Sequence, residues 1–140
     1  MRGIILGDLM EFAFPWPTGN AEWIAFGVAA FTALLGIFFL FAPGISMRVM
    51  RLRTAEGHPE AQAEIRGRVA GFHLGLSLCC LLLAQPVLYL ALGFSWLLAA
   101  FGRLISMLSD AGLTVANFAW LLLELALAVA AIAFALGWLA

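Results

Sequence analysis

Apolar residues fill four long stretches of the sequence, and short polar segments with proline or glycine separate them. About 20 apolar residues are enough to cross the hydrocarbon core of a bilayer, so we predict membrane helices over 21–42, 65–84, 86–108 and 118–139. Pro86 suits the first turn of the third helix. A turn at 93–95 is the alternative boundary, but it would leave a third helix of only about 13 residues, too short to span. The predicted fold class is an all-α bundle of four transmembrane helices.

Composition supports this assignment. Hydrophobic residues make up 65% of the chain and charged residues 11%, whereas soluble proteins contain about 25% charged residues. The chain is therefore expected to be an integral membrane protein. With 140 residues, it has room for about four spans and no separate soluble domain, so we predict one membrane domain over 1–140.

Residues 1–20 precede the first predicted span. Asp8 interrupts a short apolar run and no small-residue cleavage site follows, so we expect this segment to be retained and not removed as a signal peptide. Ile5, Leu9 and Phe12 fall on one helical side, and Trp16 suits the headgroup level. We predict a short interfacial segment. A docking arm for a neighbouring subunit is the alternative.

The distribution of positive charge predicts the orientation. All seven basic residues are arginine, and five of them lie around the connection between the first two spans: Arg48, Arg51, Arg53, Arg66 and Arg68. Short Arg-rich loops remain cytoplasmic, so we predict a multi-pass protein of the cell (inner) membrane with loop 43–64 inside and both termini outside. Glutamates dilute the arginines in this loop, which argues against a nucleic-acid partner.

The second predicted helix has two distinct sides. Its polar side combines Arg66, His73, Ser77 and Cys80, which fall within roughly 60° of one another. The opposite side is a glycine stripe: Gly67, Gly71 and Gly75. Polar groups in hydrocarbon need partners, and small residues allow another helix to approach closely, so we predict a central helix whose glycine stripe packs against a neighbour.

Two opposite charges fall at matching depth in the third and fourth predicted helices. At 1.5 Å per residue, Arg103, Glu124 and His73 all lie about 8–12 Å from the inner boundary. A lone charge facing lipid costs at least roughly 2.5–3.5 kcal/mol, so we predict an Arg103–Glu124 pair. Arg103 could also donate to Ser106 or to a backbone carbonyl.

Besides Arg103, Glu124 and Ser106, the predicted intramembrane network includes His73, Ser77, Arg66 and Asp110. His73 is expected as its third member, either accepting from Arg103 or donating to Glu124. Arg66 is expected to extend toward lipid phosphate or to meet Asp110. The network could serve only to fix which helix faces which, or it could mark a ligand, proton or headgroup site. The sequence leaves both interpretations open.

Other chemistry has less support. His73 and Glu124 supply only two metal ligands where zinc needs three or four, so no metal site is predicted. Cys79 and Cys80 are adjacent, cannot form an ordinary disulfide and are expected to be packing residues. No catalytic or nucleotide-binding motif is present, so we predict no catalytic residues and no cofactor.

Several pieces of the sequence together resemble a known family. These are Gly67 with GFHLG at 71–75, GRLIS at 102–106 with Asp110, and Glu124. Over roughly residues 25–137 the chain resembles an uncharacterised family of small bacterial four-helix integral membrane proteins, distantly DoxX-like. The resemblance implies a fold and a membrane location, and it implies no reaction.

Three functions follow as hypotheses. The leading one is a non-enzymatic accessory or structural subunit that packs against a larger membrane complex or against itself. The alternative is a binder or carrier of an anionic or quinone-like lipid, held by His73, Arg103 and Glu124. The third is a DoxX-like oxidoreductase component, which has the least support because no redox motif is visible. Membrane lipid is an expected partner in any case.

Overall fold

The computed structural model describes residues 13–139, so the amphipathic pattern predicted over 5–12 lies outside the described range. Five helices follow one another in this range: α1 (Asn20–Phe41), α2 (Pro43–Val49), α3 (Glu60–Leu83), α4 (Pro86–Ser109) and α5 (Val115–Ala135). Helices α1, α3, α4 and α5 are long and apolar enough to cross a membrane. The predicted all-α fold with four membrane helices is confirmed.

Helix α1 begins and ends for local reasons. The carboxylate of Glu22 accepts from the backbone N–H of Thr18 at 2.8 Å and from its hydroxyl at 3.1 Å, which ties the preceding segment to the first turn. Pro43 cannot continue the helix because it lacks an N–H, and α1 ends at Phe41. Pro43 then opens the short helix α2, which the sequence analysis assigned to a loop.

Helix α2 is anchored in the bundle by a buried hydroxyl. The Ser46 hydroxyl donates to the carbonyl of Ala42 at 2.7 Å, and Ser46 is fully buried. Met47 packs in a cluster with Phe39 and Ile65, from α1 and α3. The segment after Pro43 therefore begins as a helix folded against the bundle.

Helix α3 is longer and less regular than predicted. It starts at Glu60, and the segment Ile65–Val69 is a π-helical turn between two α-helical parts. Such turns widen the helix locally and are frequent at functional sites. Arg68 and Glu64 form an exposed i,i+4 ion pair at 3.3 Å on its first turns. The helix ends at Leu83, and Ala84 takes the left-handed conformation with φ 49°.

The boundaries of the last two helices agree with the prediction at the start of α4 and differ from it at the start of α5. Gln85 is extended and Pro86 opens α4, where the sequence analysis set the turn. Helix α4 runs without a break through Gly93, so the alternative turn at 93–95 is wrong. Helix α5 begins at Val115, and its cap is Thr114, whose hydroxyl accepts from the N–H of Asn117. The helix therefore starts three residues before the predicted start at 118.

The four membrane helices do not pack equally. Contacts are most extensive between α4 and α5 and between α1 and α3, whereas α3 and α4 touch little although a short turn joins them. Gly93 allows the close approach of α4 and α5, because a Cβ there would lie 2.5 Å from the Ile132 side chain. Gly36 does the same for α1 against Leu74 of α3. A cleft is left between α3 and α4.

The glycine stripe of α3 does not pack as predicted. Gly67, Gly71 and Gly75 are exposed, and a Cβ added at each would meet nothing within 4 Å among the described residues. Helix α3 turns its polar side into the bundle, so the opposite side faces outward. The sequence pattern distinguishes the two sides of this helix correctly, but the predicted packing of its glycine side is wrong. The glycine that allows close contact between α1 and α3 is Gly36, on α1.

Candidate functional site

An ion pair between α4 and α5 is the centre of the candidate site. Arg103 donates from Nε to Glu124 Oε2 at 2.9 Å and from Nη2 to Glu124 Oε1 at 2.7 Å. Two parallel bonds of this kind fix the relative orientation of the side chains as well as their distance. The Glu124 side chain is only 6% exposed and that of Arg103 27%. The structure thus brings together the two charges that the sequence analysis set at one depth.

Asn117 supplies the third partner of the guanidinium. Arg103 Nη1 donates to Asn117 Oδ1 at 3.0 Å, and Asn117 Nδ2 donates to the Gly112 carbonyl at 2.9 Å. Asn117 therefore links the ion pair to the turn between α4 and α5. Ser106, the predicted partner, is not bonded to Arg103 in the described structure. The spacing of seven between Asn117 and Glu124 is the signal that could have identified it, since it sets both on one helical face.

Trp120 is a further neighbour that the sequence analysis missed. The Arg103 guanidinium carbon lies 5.9 Å from the centroid of a Trp120 ring. A cation at this distance from an aromatic face is attracted by the negative charge of the ring face. Trp120 precedes Glu124 by four residues, so it stands on the same side of α5. The cation is therefore held by a carboxylate, an amide and an indole, all from α5.

His73 lies near the ion pair but is not part of it. Its Nδ1 is 2.6 Å from the carbonyl of Val69, at the end of the π-helical turn. Its ring makes edge-on contacts with Phe39 and Trp96, at centroid distances of 5.2 and 5.4 Å. The predicted hydrogen bond to Arg103 or Glu124 is therefore wrong, because the ring is committed to its own helix and to aromatic neighbours.

The remaining predicted residues do not join the network. Ser77 is buried, and its hydroxyl donates to carbonyls of α3, at His73 and Leu74. Arg66 and Asp110 are both exposed, and the ion pairs found within residues 13–139 do not include one between them. The contact of Arg66 with lipid phosphate stays a prediction.

A pocket of about 360 Å³ opens beside the ion pair. Every membrane helix contributes to its lining, including Thr32 and Phe39 of α1 and Trp96 of α4. The polar groups in the lining are few, namely Thr32, His73, Ser95, Trp96, Arg103, Trp120 and Glu124. The lining includes buried residues and also Phe72, which is 77% exposed. The pocket therefore opens to the outer surface at the cleft between α3 and α4.

A buried hydrogen-bond chain fixes one wall of the pocket. Trp96 Nε1 donates to the Thr32 hydroxyl at 3.0 Å, and that hydroxyl donates to the Val28 carbonyl at 2.8 Å. Both side chains are buried, and an unpaired indole N–H would be costly there. The chain connects α4 to α1 across the bundle. Only the tertiary arrangement reveals it, because the two residues are 64 positions apart.

Other clusters in the described part of the chain do not point to redox or metal chemistry. Between residues 13 and 139 no group of three or more His, Cys, Asp or Glu side chains could hold a metal ion. Cys80 is buried in the core cluster and Cys79 is exposed, both as free thiols. The site is thus a charged pair and a histidine around a mostly apolar pocket.

A family match covers the whole bundle. The family described as a domain of unknown function, DUF4345, matches residues 21–135, which includes most of every membrane helix. The chain belongs to the DUF4345 family. Searches of curated proteins and of solved structures found no significant match. The family match agrees with the predicted membership of an uncharacterised family. The bacterial origin and the DoxX-like resemblance stay predictions.

Proposed function

We propose that this DUF4345 protein binds a bilayer lipid, whose polar end enters the pocket between the membrane helices. The observation that supports this best is a pocket of about 360 Å³ with Arg103, Glu124 and His73 in its lining. Ligand pockets usually measure about 300–1,000 Å³ and combine an apolar lining with a few polar groups. The volume fits a headgroup and the start of an acyl or isoprenoid chain.

The position of the pocket supports a ligand that arrives from the bilayer. Phe72 of α3 lies at the opening of the pocket and is exposed, and α4 also carries exposed apolar side chains, Leu98 among them. Such surfaces face acyl chains in a membrane protein. A lipid can therefore enter sideways while its tail remains in the hydrocarbon, and only its polar end needs to exchange partners.

The ion pair retains binding capacity. A guanidinium has five N–H donors, and three of those of Arg103 are used by Glu124 and Asn117. Two donors are left for an acceptor, next to a pocket that a ligand could fill. A network that only fixed helix orientation would not need a pocket beside it.

A pocket-filling variant tests this function. Ala99 lines the pocket and makes none of its polar contacts, so Ala99→Phe should occupy the space and leave the ion pair intact. Ala91→Phe is the matched control, since Ala91 is exposed on the same helix and outside the pocket lining. Native mass spectrometry of the purified chain should detect a retained lipid that Ala99→Phe reduces several-fold and Ala91→Phe does not. Equal lipid content in all three proteins would reject the proposal.

The orientation in the membrane is part of the proposal. Four apolar helices make the chain a multi-pass membrane protein, and we place loop 43–64 in the cytoplasm and both termini outside the inner membrane because of the clustered arginines. In a Cys79→Ser/Cys80→Ser background, Gly57→Cys should react with a membrane-impermeant maleimide only after the cells are opened. Reaction in intact cells would show that the loop faces the outside, opposite to the proposed orientation.

The accessory-subunit function is the second candidate, and one observation favours it. The exposed stripe of Gly67, Gly71 and Gly75 has open space around it, and such stripes allow close contact between membrane helices. A stoichiometric partner, or a second copy, should then be lost on mild-detergent purification of Gly71→Leu and kept in the wild type. A wild-type chain that purifies as a partner-free monomer would count against it. Nothing in the described residues favours the DoxX-like oxidoreductase function, and we do not propose it.

A further inference from the structure

We infer that the lipid held in this pocket is uncharged at its polar end and carries a hydroxyl donor beside an oxygen acceptor. This inference rests on the proposed lipid-binding function and narrows its ligand to one chemical class. Such a lipid differs from an anionic phospholipid, the ligand that the positive charge of Arg103 would suggest if that charge were considered alone.

The charge of the site is the first argument. Arg103 and Glu124 are the charged residues in the pocket lining, and they neutralise each other through two hydrogen bonds. A phosphate would add a negative charge next to a carboxylate that is only 6% exposed. An uncompensated charge is expensive in a medium of low dielectric constant. An uncharged headgroup avoids this cost.

The arrangement of donors and acceptors is the second argument. A carbonyl can only accept, so His73 Nδ1 must carry the proton in its contact with Val69. In the neutral ring, Nε2 is then an acceptor. His73 Nε2 has no hydrogen-bond partner among the described residues, and it is not fully buried. A ligand can therefore reach it. The lining therefore offers an acceptor on α3 and two spare N–H donors of Arg103 on α4.

A ligand that satisfies both must donate as well as accept. A hydroxyl can donate to His73 Nε2, and a second oxygen can accept from Arg103. A phosphodiester group carries acceptors only, and a phospholipid whose headgroup adds hydroxyl donors, such as phosphatidylglycerol, still brings the negative charge into the pocket. Diacylglycerols and quinols share the required chemistry, because each has a hydroxyl next to another oxygen on a compact, uncharged end.

The location of the other arginines agrees with this choice. Arg48, Arg51 and Arg53 are exposed on or just after α2, and none of them lines the pocket. Arg66 is exposed too and is outside the lining. Anionic headgroups therefore have partners at the surface of the bundle, where the charges of both sides remain solvated.

A lipid competition tests the inference. The purified full chain in detergent receives an equimolar mixture of dioleoylglycerol, a ubiquinol kept reduced under nitrogen, and dioleoylphosphatidylglycerol. Native mass spectrometry then counts the protein that carries each lipid. We expect at least one of the two uncharged lipids to be retained tenfold or more over phosphatidylglycerol, and the one retained identifies the source of the shared chemistry.

Two variants test the charge argument directly. Glu124→Gln has nearly the same shape but leaves the charge of Arg103 uncompensated, so the ratio should shift at least tenfold toward phosphatidylglycerol. The double variant Arg103→Gln/Glu124→Gln is neutral again and should return the ratio toward the wild-type value. Circular dichroism and thermal unfolding identify any variant that is not folded. The competition with the wild-type protein tests the inference independently of the variants.

The outcomes separate the inference from the function on which it rests. Retention of phosphatidylglycerol as well as, or better than, the uncharged lipids by the wild type would overturn the inference and leave lipid binding standing. Retention of none of the three above background by folded protein would overturn lipid binding itself. An unchanged ratio in folded Glu124→Gln would refute the charge argument and the inference with it.

Discussion

Removal of one member of the Arg103–Glu124 pair should destabilise the protein far more than removal of both. In Glu124→Leu, the guanidinium loses two charge-assisted hydrogen bonds and keeps its hydrogen bond to Asn117 and its contact with the Trp120 ring. In Arg103→Met, a carboxylate whose side chain is 6% exposed loses both donors. In Arg103→Met/Glu124→Leu, two apolar side chains meet in an apolar setting.

The expected magnitudes follow from the burial of each partner. Breaking a buried ion pair costs roughly 3–5 kcal/mol. We expect about 3 kcal/mol for Glu124→Leu, the lower end of that range, because Arg103 keeps other partners and is 27% exposed. Arg103→Met should cost at least as much. Replacement of a buried pair by apolar residues is often neutral, so the double variant should lie within about 1 kcal/mol of the wild type.

A double-mutant cycle measures this coupling. Unfolding in mixed micelles by titration with sodium dodecyl sulfate gives the free energy of unfolding of the four proteins. Leu104→Met is the control, since Leu104 is the exposed neighbour of Arg103, and it should change stability by less than about 0.5 kcal/mol. The coupling energy should be at least about 5 kcal/mol, in the upper part of the roughly 1.5–7 kcal/mol known for close charge pairs. Additive effects of the two single variants would show that the pair does not stabilise the bundle as a unit.

Two further predictions concern packing and the turn before α5. Gly93→Ala should lower the free energy of unfolding by about 1–3 kcal/mol through overpacking against Ile132. Gly75→Ala, in open space, should be neutral or stabilising by up to about 1 kcal/mol, and equal effects of the two in thermal unfolding would contradict the packing described. Asn117→Ala should cost about 1–3 kcal/mol because it leaves partly buried groups unpaired. Thr114→Val, which removes only the cap, should cost about 0.5–2 kcal/mol. A cost of Asn117→Ala below about 0.5 kcal/mol, the range of neutral surface changes, would argue against the link from the turn to the guanidinium.

The sequence alone determined the features that depend on composition and local chain geometry, namely the number of spans, the start of α4 and the depth of the charged residues. In hydrocarbon the backbone N–H and C=O groups of a long apolar run must find hydrogen-bond partners within the protein, and a run of about 20 residues does so as a helix. Four spans and an all-α fold could therefore be predicted. Pro86 marked the start of α4 because proline fits the first turn of a helix. Helical periodicity and rise also set Arg103 and Glu124 at one depth, since a charge in hydrocarbon needs a partner.

The tertiary structure decided which side of each helix meets which neighbour. The sequence separated the two sides of α3 but could not tell that its glycines face outward and that Gly36 and Gly93 carry the close contacts. Small residues permit close packing on any face, and only the whole bundle selects one. The same holds for His73, whose nearest acceptor is on its own helix. The pocket could not be foreseen, because it results from α3 and α4 diverging after a short turn. That divergence arises because α3 packs mainly on α1 whereas α4 packs mainly on α5.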